Sequence, residues 1–280
     1  RREGLDDAEA AAGGRRGDEE RRREGTGEQG APHAASIAAR RRRVGRRAGG
    51  ARAVASTPMV VERILHPGWL ANSYVVAAER GGKAVIVDSG APLEPLLDAA
   101  ARHRLRPTHL LITHGHHDHT IGNDELVKRL GVRVTQESVD TGDVHVEALA
   151  TPGHSDDGVS FVVNDKLLFS GDTLFKDAVG GGVADELRHS VMEVLMRLPH
   201  ELRVLPGHTD ATTLAREWEE NPFVRYWRGL ADEDGRRCRV GDDEGTVLVW
   251  SPDYDGKGKL LVRFDGGEET ILGASRAEIF

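Results

Sequence analysis

Between Thr113 and His119 the chain reads Thr-His-Gly-His-His-Asp-His, and this heptad restricts the fold more than any other stretch. The run before it, Thr108 to Ile112, predicts a short buried strand. Thr120-Ile121-Gly122 opens a segment with helical spacing through Glu125, Leu126, Val127 and Leu130. The heptad therefore lies where a strand gives out into a loop. His114 and His116, two apart, project to the same side of an extended backbone, whereas Asp118 and His119 follow a turn and face a second point. Imidazole and carboxylate suit zinc, iron and manganese, yet four donors in six residues are too few to close two ion sites. A fold that uses them has to bring further ligands to the same place.

Three later junctions offer such ligands. Glu147 to Thr151 runs into Pro152-Gly153-His154, Lys166 to Ser170 into Gly171-Asp172, and Leu202 to Leu205 into Pro206-Gly207-His208. In each, an apolar run meets glycine and then a metal-ligating side chain. Glycine lets the backbone turn sharply and approach closely, which sets the next side chain at a sheet edge.

These elements are His-Gly-His-His-Asp-His, Thr-Pro-Gly-His, Ser-Gly-Asp-Thr-Leu-Phe and Leu-Pro-Gly-His, in that order across roughly residues 59 to 227. They resemble the metallo-β-lactamase-fold hydrolases, and within them the glyoxalase II (hydroxyacylglutathione hydrolase) and persulfide dioxygenase branch. The resemblance implies an α+β chain whose catalytic part is a four-layered αββα sandwich. It implies that His114, His116 and His154 hold one divalent ion, that Asp118, His119 and His208 hold another, and that Asp172 bridges them. Zinc is the first expectation for both ions, with iron or manganese as alternatives. Asp118 is then the catalytic residue, orienting a metal-bound hydroxide that cleaves a thioester or ester. Asp88, at the end of the run Ala84 to Val87, is expected to orient the metal loop from beneath. The alternative activity is a persulfide dioxygenase with one iron on His114, His154 and Asp172; a lactonase is a third. His117 occupies the variable position of the motif, and His33, His66, His103, His109, His145, His189 and His200 read as ordinary residues.

The chain departs from the branch where the thiol carrier would bind. The resembled enzymes place a basic residue in the loop after Asp-Thr-Leu-Phe; here that loop reads Lys176-Asp177-Ala178-Val179-Gly180-Gly181-Gly182, with glycine at the basic position. A thioester or ester is therefore expected as substrate without glutathione as its fixed thiol. Asn221-Pro222-Phe223-Val224-Arg225 is a further match to the branch.

Apolar alternation predicts strands over Val60 to Leu65, Ser73 to Ala77, Ala84 to Val87, Val132 to Thr135, Val144 to Ala150, Val159 to Val163 and Leu167 to Phe169. Helical spacing marks Leu93 to Leu105 and Arg188 to Leu198. Residues 59–230 form the expected catalytic domain. In residues 231–280, strand-like runs at Thr246 to Trp250, Lys259 to Phe264 and Glu269 to Leu272 alternate with Asp- and Gly-rich turns. Three short strands suggest a small SH3-like β-barrel that packs on the catalytic domain or on a second copy of the chain, with Trp250, Tyr254 and Phe264 filling its core.

Residues 1–58 are Arg, Glu, Gly and Ala with almost no apolar periodicity. They are expected to stay unfolded, because they bury too little to offset the entropy of ordering. The chain opens with Arg and its first Met is Met59, a pattern that an over-extended reading frame would give. This tail holds fourteen Arg against nine Asp plus Glu, so the remainder of a chain of net charge −8 carries −13. An acidic body argues against a nucleic-acid partner. No run approaches the eighteen apolar residues of a membrane span. The single Cys238 excludes an internal disulfide and a cysteine-based zinc site, which fits a cytoplasmic protein.

Overall fold

In the strand Asn72–Ala77 every residue is buried, and its neighbouring side chains go to opposite cores. Val75 and Ala77 join Ile86 and Leu110 in one cluster, while Tyr74 and Val76 join Val85, Val87 and Leu111 in another. Because side chains alternate along a strand, this pattern requires a sheet covered on both faces. The computed structural model describes residues 58–280, which belong to one compact unit. The tail expected over residues 1–58 lies, apart from Pro58, outside the described residues.

The first sheet has five strands in the order Val60–Leu65, Asn72–Ala77, Lys83–Val87, Arg106–Leu111, Arg133–Thr135. Its outer face carries the helices Leu93–Arg102 and Asn123–Leu130, through Leu96, Ala99 and Leu126. The second sheet runs Thr212–Thr213, Arg203–Pro206, Leu167–Gly171, Val159–Val163, His145–Ala150, Val139–Asp140. Phe161, Phe169 and Leu205 face the first sheet, and Val162, Leu168 and Val204 face a helical layer on the far side. That layer holds the run Ala184–Arg197 and the helices Leu214–Glu220 and Pro222–Trp227. The four expected layers, helix, sheet, sheet and helix, are present.

Topology places the candidate donors. His145–Ala150 and Leu167–Gly171 each pair antiparallel with Val159–Val163, and Arg203–Pro206 pairs parallel with Leu167–Gly171. All three therefore end at one edge of the second sheet, and each is followed by one of His154, Asp172 and His208. A register shift at Leu205/Pro206 sets Pro206 opposite Gly171, and Gly207 donates its N–H to the Gly171 carbonyl at 2.8 Å. Asp172 and His208 are thereby fixed side by side.

The helical run starts at Ala184, earlier than its apolar spacing predicts, and ends in a π-type turn and a 3₁₀ turn. Helices Leu214–Glu220 and Pro222–Trp227 are too short to show a periodicity. Each instead has a side-chain cap. Thr213 Oγ1 accepts from Arg216 N, and Asn221 Oδ1 accepts from Phe223 N at 3.0 Å ahead of Pro222 in the first turn. The Asn221-Pro222-Phe223 match to the glyoxalase II branch is thus a helix start here.

The expected C-terminal barrel is replaced by an open six-stranded sheet, in the order Gly182–Val183, Glu269–Gly273, Lys259–Phe264, Asp243–Ser251, Arg237–Val240, Glu278–Ile279. Gly182–Val183, from the loop after Asp172, occupies the edge that a closing strand would need. The sheet then shares its interior with the catalytic part: Leu248, Val249, Leu261 and Ile271 join the core beneath the second sheet, and Cys238, Val247 and Leu260 form a smaller cluster. Of the three aromatics, Phe264 packs on the smaller cluster, Tyr254 on the catalytic core, and Trp250 is 43% exposed. No helix among the described residues is long and apolar enough to cross a membrane.

Candidate metal centre

Asp88 ends the strand Lys83–Val87 with φ at 55°, a left-handed conformation that turns its carboxylate under the next strand's exit. Its oxygens accept from Thr113 N and Thr113 Oγ1, both at 2.8 Å, and from His119 Nδ1 at 2.9 Å. The heptad is therefore clamped at both ends by one buried carboxylate. Between the clamps the backbone stays extended to His116 and then enters the single helical turn His117–Thr120, which swings Asp118 and His119 away from His114 and His116.

The hydrogen bonds fix which imidazole nitrogens are free. Thr113 Oγ1 already donates to Asp88, so it accepts from His114 Nδ1 at 3.1 Å. His154 Nδ1 donates to the Gly181 carbonyl at 2.7 Å, and His208 Nδ1 donates to the Leu70 carbonyl at 3.0 Å. With His119 Nδ1 on Asp88, four Nε2 atoms are left facing inward. His114 Nε2 and His154 Nε2 each lie 3.0 Å from His116 Nδ1, a convergence of acceptor atoms that one proton cannot satisfy. Asp172 sits between the two groups: Oδ1 is 3.5 Å from His119 Nε2, and Oδ2 is 3.3 Å from His208 Nε2 and 3.6 Å from His154 Nε2. Asp118 Oδ2 lies 3.4 Å from His208 Nε2.

All seven residues singled out from the sequence thus meet in one place, and they form three overlapping donor sets: His114 with His116 and His154, His114 with His119 and Asp172, and Asp118 with His119 and His208. Within the cluster, two buried atoms, His119 Nε2 and Asp172 Oδ1, have no hydrogen-bond partner among the described residues. A buried imidazole nitrogen and a buried carboxylate oxygen left open side by side fit a divalent cation once the imidazole gives up its proton. Gly207 shows how tight the cradle is: a Cβ there would lie 2.1 Å from Asp172 Oδ1 and 2.8 Å from His119 Cε1.

The two ends of the cluster differ electrostatically. Burial lowers His114 to about 4 and also lowers His154, so these imidazoles are neutral. At the other end burial is outweighed by carboxylates: Asp172 and Asp88 raise His119 to about 9, and Asp172 and Asp118 raise His208 to about 10. In the ion-free protein these two imidazoles carry the positive charge that the carboxylates demand. Ion uptake near neutrality is expected to displace about two protons per chain, because a ligating imidazole is neutral. Calorimetry in buffers of different ionisation enthalpy reads that number, and apparent affinity is expected to fall as pH is lowered.

Two cavities flank the cluster. One, about 340 Å³, is lined by Arg63, Leu65, Leu70, Lys176 and Tyr254 among others; the second, about 700 Å³, is bordered by His154, Gly181, Tyr254, Lys259 and Arg276. Lys176 therefore stands on a cavity wall. A Cβ on Gly180 in that loop would lie 1.9 Å from the Asp172 carbonyl oxygen and 3.2 Å from His154 Cβ, so the loop backbone packs directly against these donor residues. His117 lies outside the donor sets, edge-on to Trp69, which stacks on His66 at 4.2 Å. Tyr254 is the neighbour that the sequence does not reveal. Its ring stacks on His208 at 4.1 Å with an interplanar angle of 10°, and burial raises its phenol, so the hydroxyl keeps its proton.

The profile of the Metallo-beta-lactamase superfamily matches residues 66–141, the stretch that includes the heptad. An uncharacterised protein of Aquifex aeolicus is 33% identical over 195 residues, a match that covers 55% of this chain and 91% of the relative. The chain belongs to the metallo-beta-lactamase superfamily. A probable metallo-hydrolase of Bacillus subtilis, YqgX, is 29% identical over 196 residues, covering 55% of this chain and 92% of that protein. Among solved structures, the BLEG-1 B3 metallo-beta-lactamase superposes with a TM-score of 0.55 at 26% identity, over 59% of this chain and 99% of its own. ETHE1 from Myxococcus xanthus does so with 0.54 at 27%, over 63% and 93%. TTHA1623, crystallised in a di-iron-bound form, gives 0.51 at 29%, over 58% and 100%. Little more than half of this superfamily member thus accounts for nearly all of each relative.

Proposed function

We propose that the protein is a two-ion metallo-hydrolase of the glyoxalase II type that cleaves a thioester or ester. His114, His116 and His154 hold one ion, Asp118, His119 and His208 the other, and Asp172 lies against both. Zinc is the first candidate, and the di-iron form of TTHA1623 keeps iron in view. Two divalent cations bound there supply Lewis acidity, polarising a carbonyl and bringing water ionisation near neutrality. The chain's own residues do the rest. Gly181 and Leu70 carbonyls hold His154 and His208 in the tautomer that offers Nε2, and Asp88 does the same for His119.

Asp118 is 29% exposed whereas His119 and Asp172 are nearly sealed, so water reaches its carboxylate. His208 and His119 outweigh the effect of burial and hold Asp118 below the usual carboxylate range. It therefore accepts the proton of the attacking water as the new C–O bond forms, and returns it to the thiolate or alkoxide as the C–S or C–O bond breaks. Cys238 is buried in the C-terminal sheet, away from these groups, so the chain offers no cysteine nucleophile at the site.

The observation that carries this reading is the convergence of seven donor residues with two buried ligand atoms left open. The likeness to ETHE1 supports a second reading, a persulfide dioxygenase with one iron on His114, His154 and Asp172. That arrangement leaves Asp118 and His208 without an occupant, which favours two ions. Metal content by mass, with turnover of a panel of thioesters, lactones and persulfides, separates the two. Two ions and thioester or ester cleavage are expected; one iron with oxygen uptake on persulfide would overturn the hydrolase. His116→Ala is expected to remove one ion and abolish hydrolysis.

A further inference from the structure

We infer that the C-terminal sheet forms part of the active site, and that Tyr254 is a substrate-contacting residue whose hydroxyl donates to the carbonyl oxygen of the scissile acyl group. This rests on the hydrolase reading above. Tyr254 lies in the turn joining the strands Asp243–Ser251 and Lys259–Phe264, and its ring covers the outer face of the ligand His208 while meeting Phe175 edge-on at 5.9 Å. It lines both cavities. One of them includes Leu70, whose carbonyl orients His208; the other includes Gly181, whose carbonyl orients His154. A substrate lying across the ion cluster with one end in each cavity passes over this ring.

The hydroxyl has no hydrogen-bond partner among the described residues, and it is not among the atoms sealed from solvent. A phenylalanine would pack against His208 and Phe175 equally well, so the oxygen has no role in the fold. The groups nearest the ring in the cluster are carboxylates and imidazoles committed to ions, which leaves the phenol as a neutral donor beside them. A thioester has one strong acceptor, its carbonyl oxygen, since sulfur accepts weakly. Donor and acceptor are therefore matched at the reacting bond.

The turn is built to hold that ring still. Asp253 and Lys259 pair at 2.9 Å with their side chains 3% and 8% exposed, and Asp253 also accepts from Tyr254 N at 2.9 Å. Burying both charges carries a desolvation cost that a surface hairpin has no need to bear, and the pair fixes the residue next to Tyr254. Lys259 is thus a positioning residue.

The test uses the full-length, zinc-loaded protein. Tyr254→Phe is expected to keep wild-type metal content and melting temperature. Its kcat/KM on the best thioester or ester should fall by about 100- to 1,000-fold, the range lost with one donor to a developing oxyanion. A second readout needs no turnover: a ketone in which CH₂ replaces the thioester sulfur is expected to bind Tyr254→Phe about tenfold more weakly by calorimetry. Lys259→Met should reproduce the loss, and the double variant should be no worse than Lys259→Met alone. Wild-type kinetics and ketone affinity in Tyr254→Phe would overturn the inference while leaving the hydrolase intact. A wild-type protein that cleaves no ester or thioester would sink the hydrolase reading itself, and failure of the wild type to bind the ketone would remove the contact proposed here.

Discussion

Asp172→Ala is expected to strip the protein of both ions and to lower turnover by about a thousandfold or more, the several kcal/mol that Lewis-acid stabilisation contributes. The expectation follows from position. Its carboxylate approaches three imidazole nitrogens, those of His119 at 3.5 Å, His208 at 3.3 Å and His154 at 3.6 Å, and so reaches both ends of the cluster. Of the other donors, His114 and His119 each belong to two of the donor sets, and His116, His154, Asp118 and His208 to one. His116→Ala, by contrast, touches only the all-imidazole set. Metal content after dialysis should therefore separate the two variants, with near-zero ions for Asp172→Ala and one for His116→Ala. Gly207→Ala reaches the same carboxylate without altering a donor, because its Cβ would lie 2.1 Å from Asp172 Oδ1. It should lose ions as Asp172→Ala does, whereas Gly266→Ala, where a Cβ meets nothing within 4 Å, should behave as wild type. An Asp172→Ala protein that keeps both ions and turns over within tenfold of wild type would remove Asp172 from the centre.

The convergent donor residues could be read from the sequence because metal chemistry depends on side-chain type, and a strand end followed by glycine announces itself as an apolar run that stops. His154, Asp172 and His208 each follow such a run, and the sheets bring the three ends to one edge. Two of the six strands in the C-terminal sheet were equally readable: the runs Lys259 to Phe264 and Glu269 to Leu272 match the observed strands to within a residue, whereas Arg237–Val240 and Glu278–Ile279 were not read as strands. Their assembly was not. Alternation tells which face of a strand is apolar, and says nothing of what covers it. Leu248, Leu261 and Ile271 cover the catalytic core here, and the edge filled by Gly182–Val183 leaves no place for barrel closure. Tyr254 escaped for the same reason, since an Asp-Tyr-Asp-Gly turn looks alike in solvent and against a metal ligand. The helices Leu214–Glu220 and Pro222–Trp227 were hidden by length, being set by caps and burial over seven and six residues.

Glu217, in the first of those helices, should give the largest loss of stability among the residues that touch no metal ligand. Its side chain is fully buried and both oxygens are occupied: Oε1 accepts from Thr212 Oγ1 at 2.5 Å and Arg216 at 2.7 Å, and Oε2 accepts from Asp177 N at 2.8 Å and Asn221 Nδ2 at 3.0 Å. Glu217→Ala leaves Thr212 Oγ1 and Asp177 N without an acceptor and removes one of several partners from Asn221 Nδ2, which keeps the Ala178 carbonyl, and from Arg216, which keeps Asp177 and Glu220. Two donors left without an acceptor in the interior cost about 2–6 kcal/mol together. For a folded unit of this size that lowers the melting temperature by roughly 10 °C. Glu217→Gln should be intermediate, because its amide turns two donors toward donors. The functional consequence is local. Asp177 N and the Ala178 carbonyl, which accepts from Asn221 Nδ2 at 3.0 Å, anchor the loop that carries Lys176 along the smaller cavity. Glu217→Ala is therefore expected to keep its ions and raise KM more than it lowers kcat; a melting temperature within about 2 °C of wild type would show that the loop is held by other contacts.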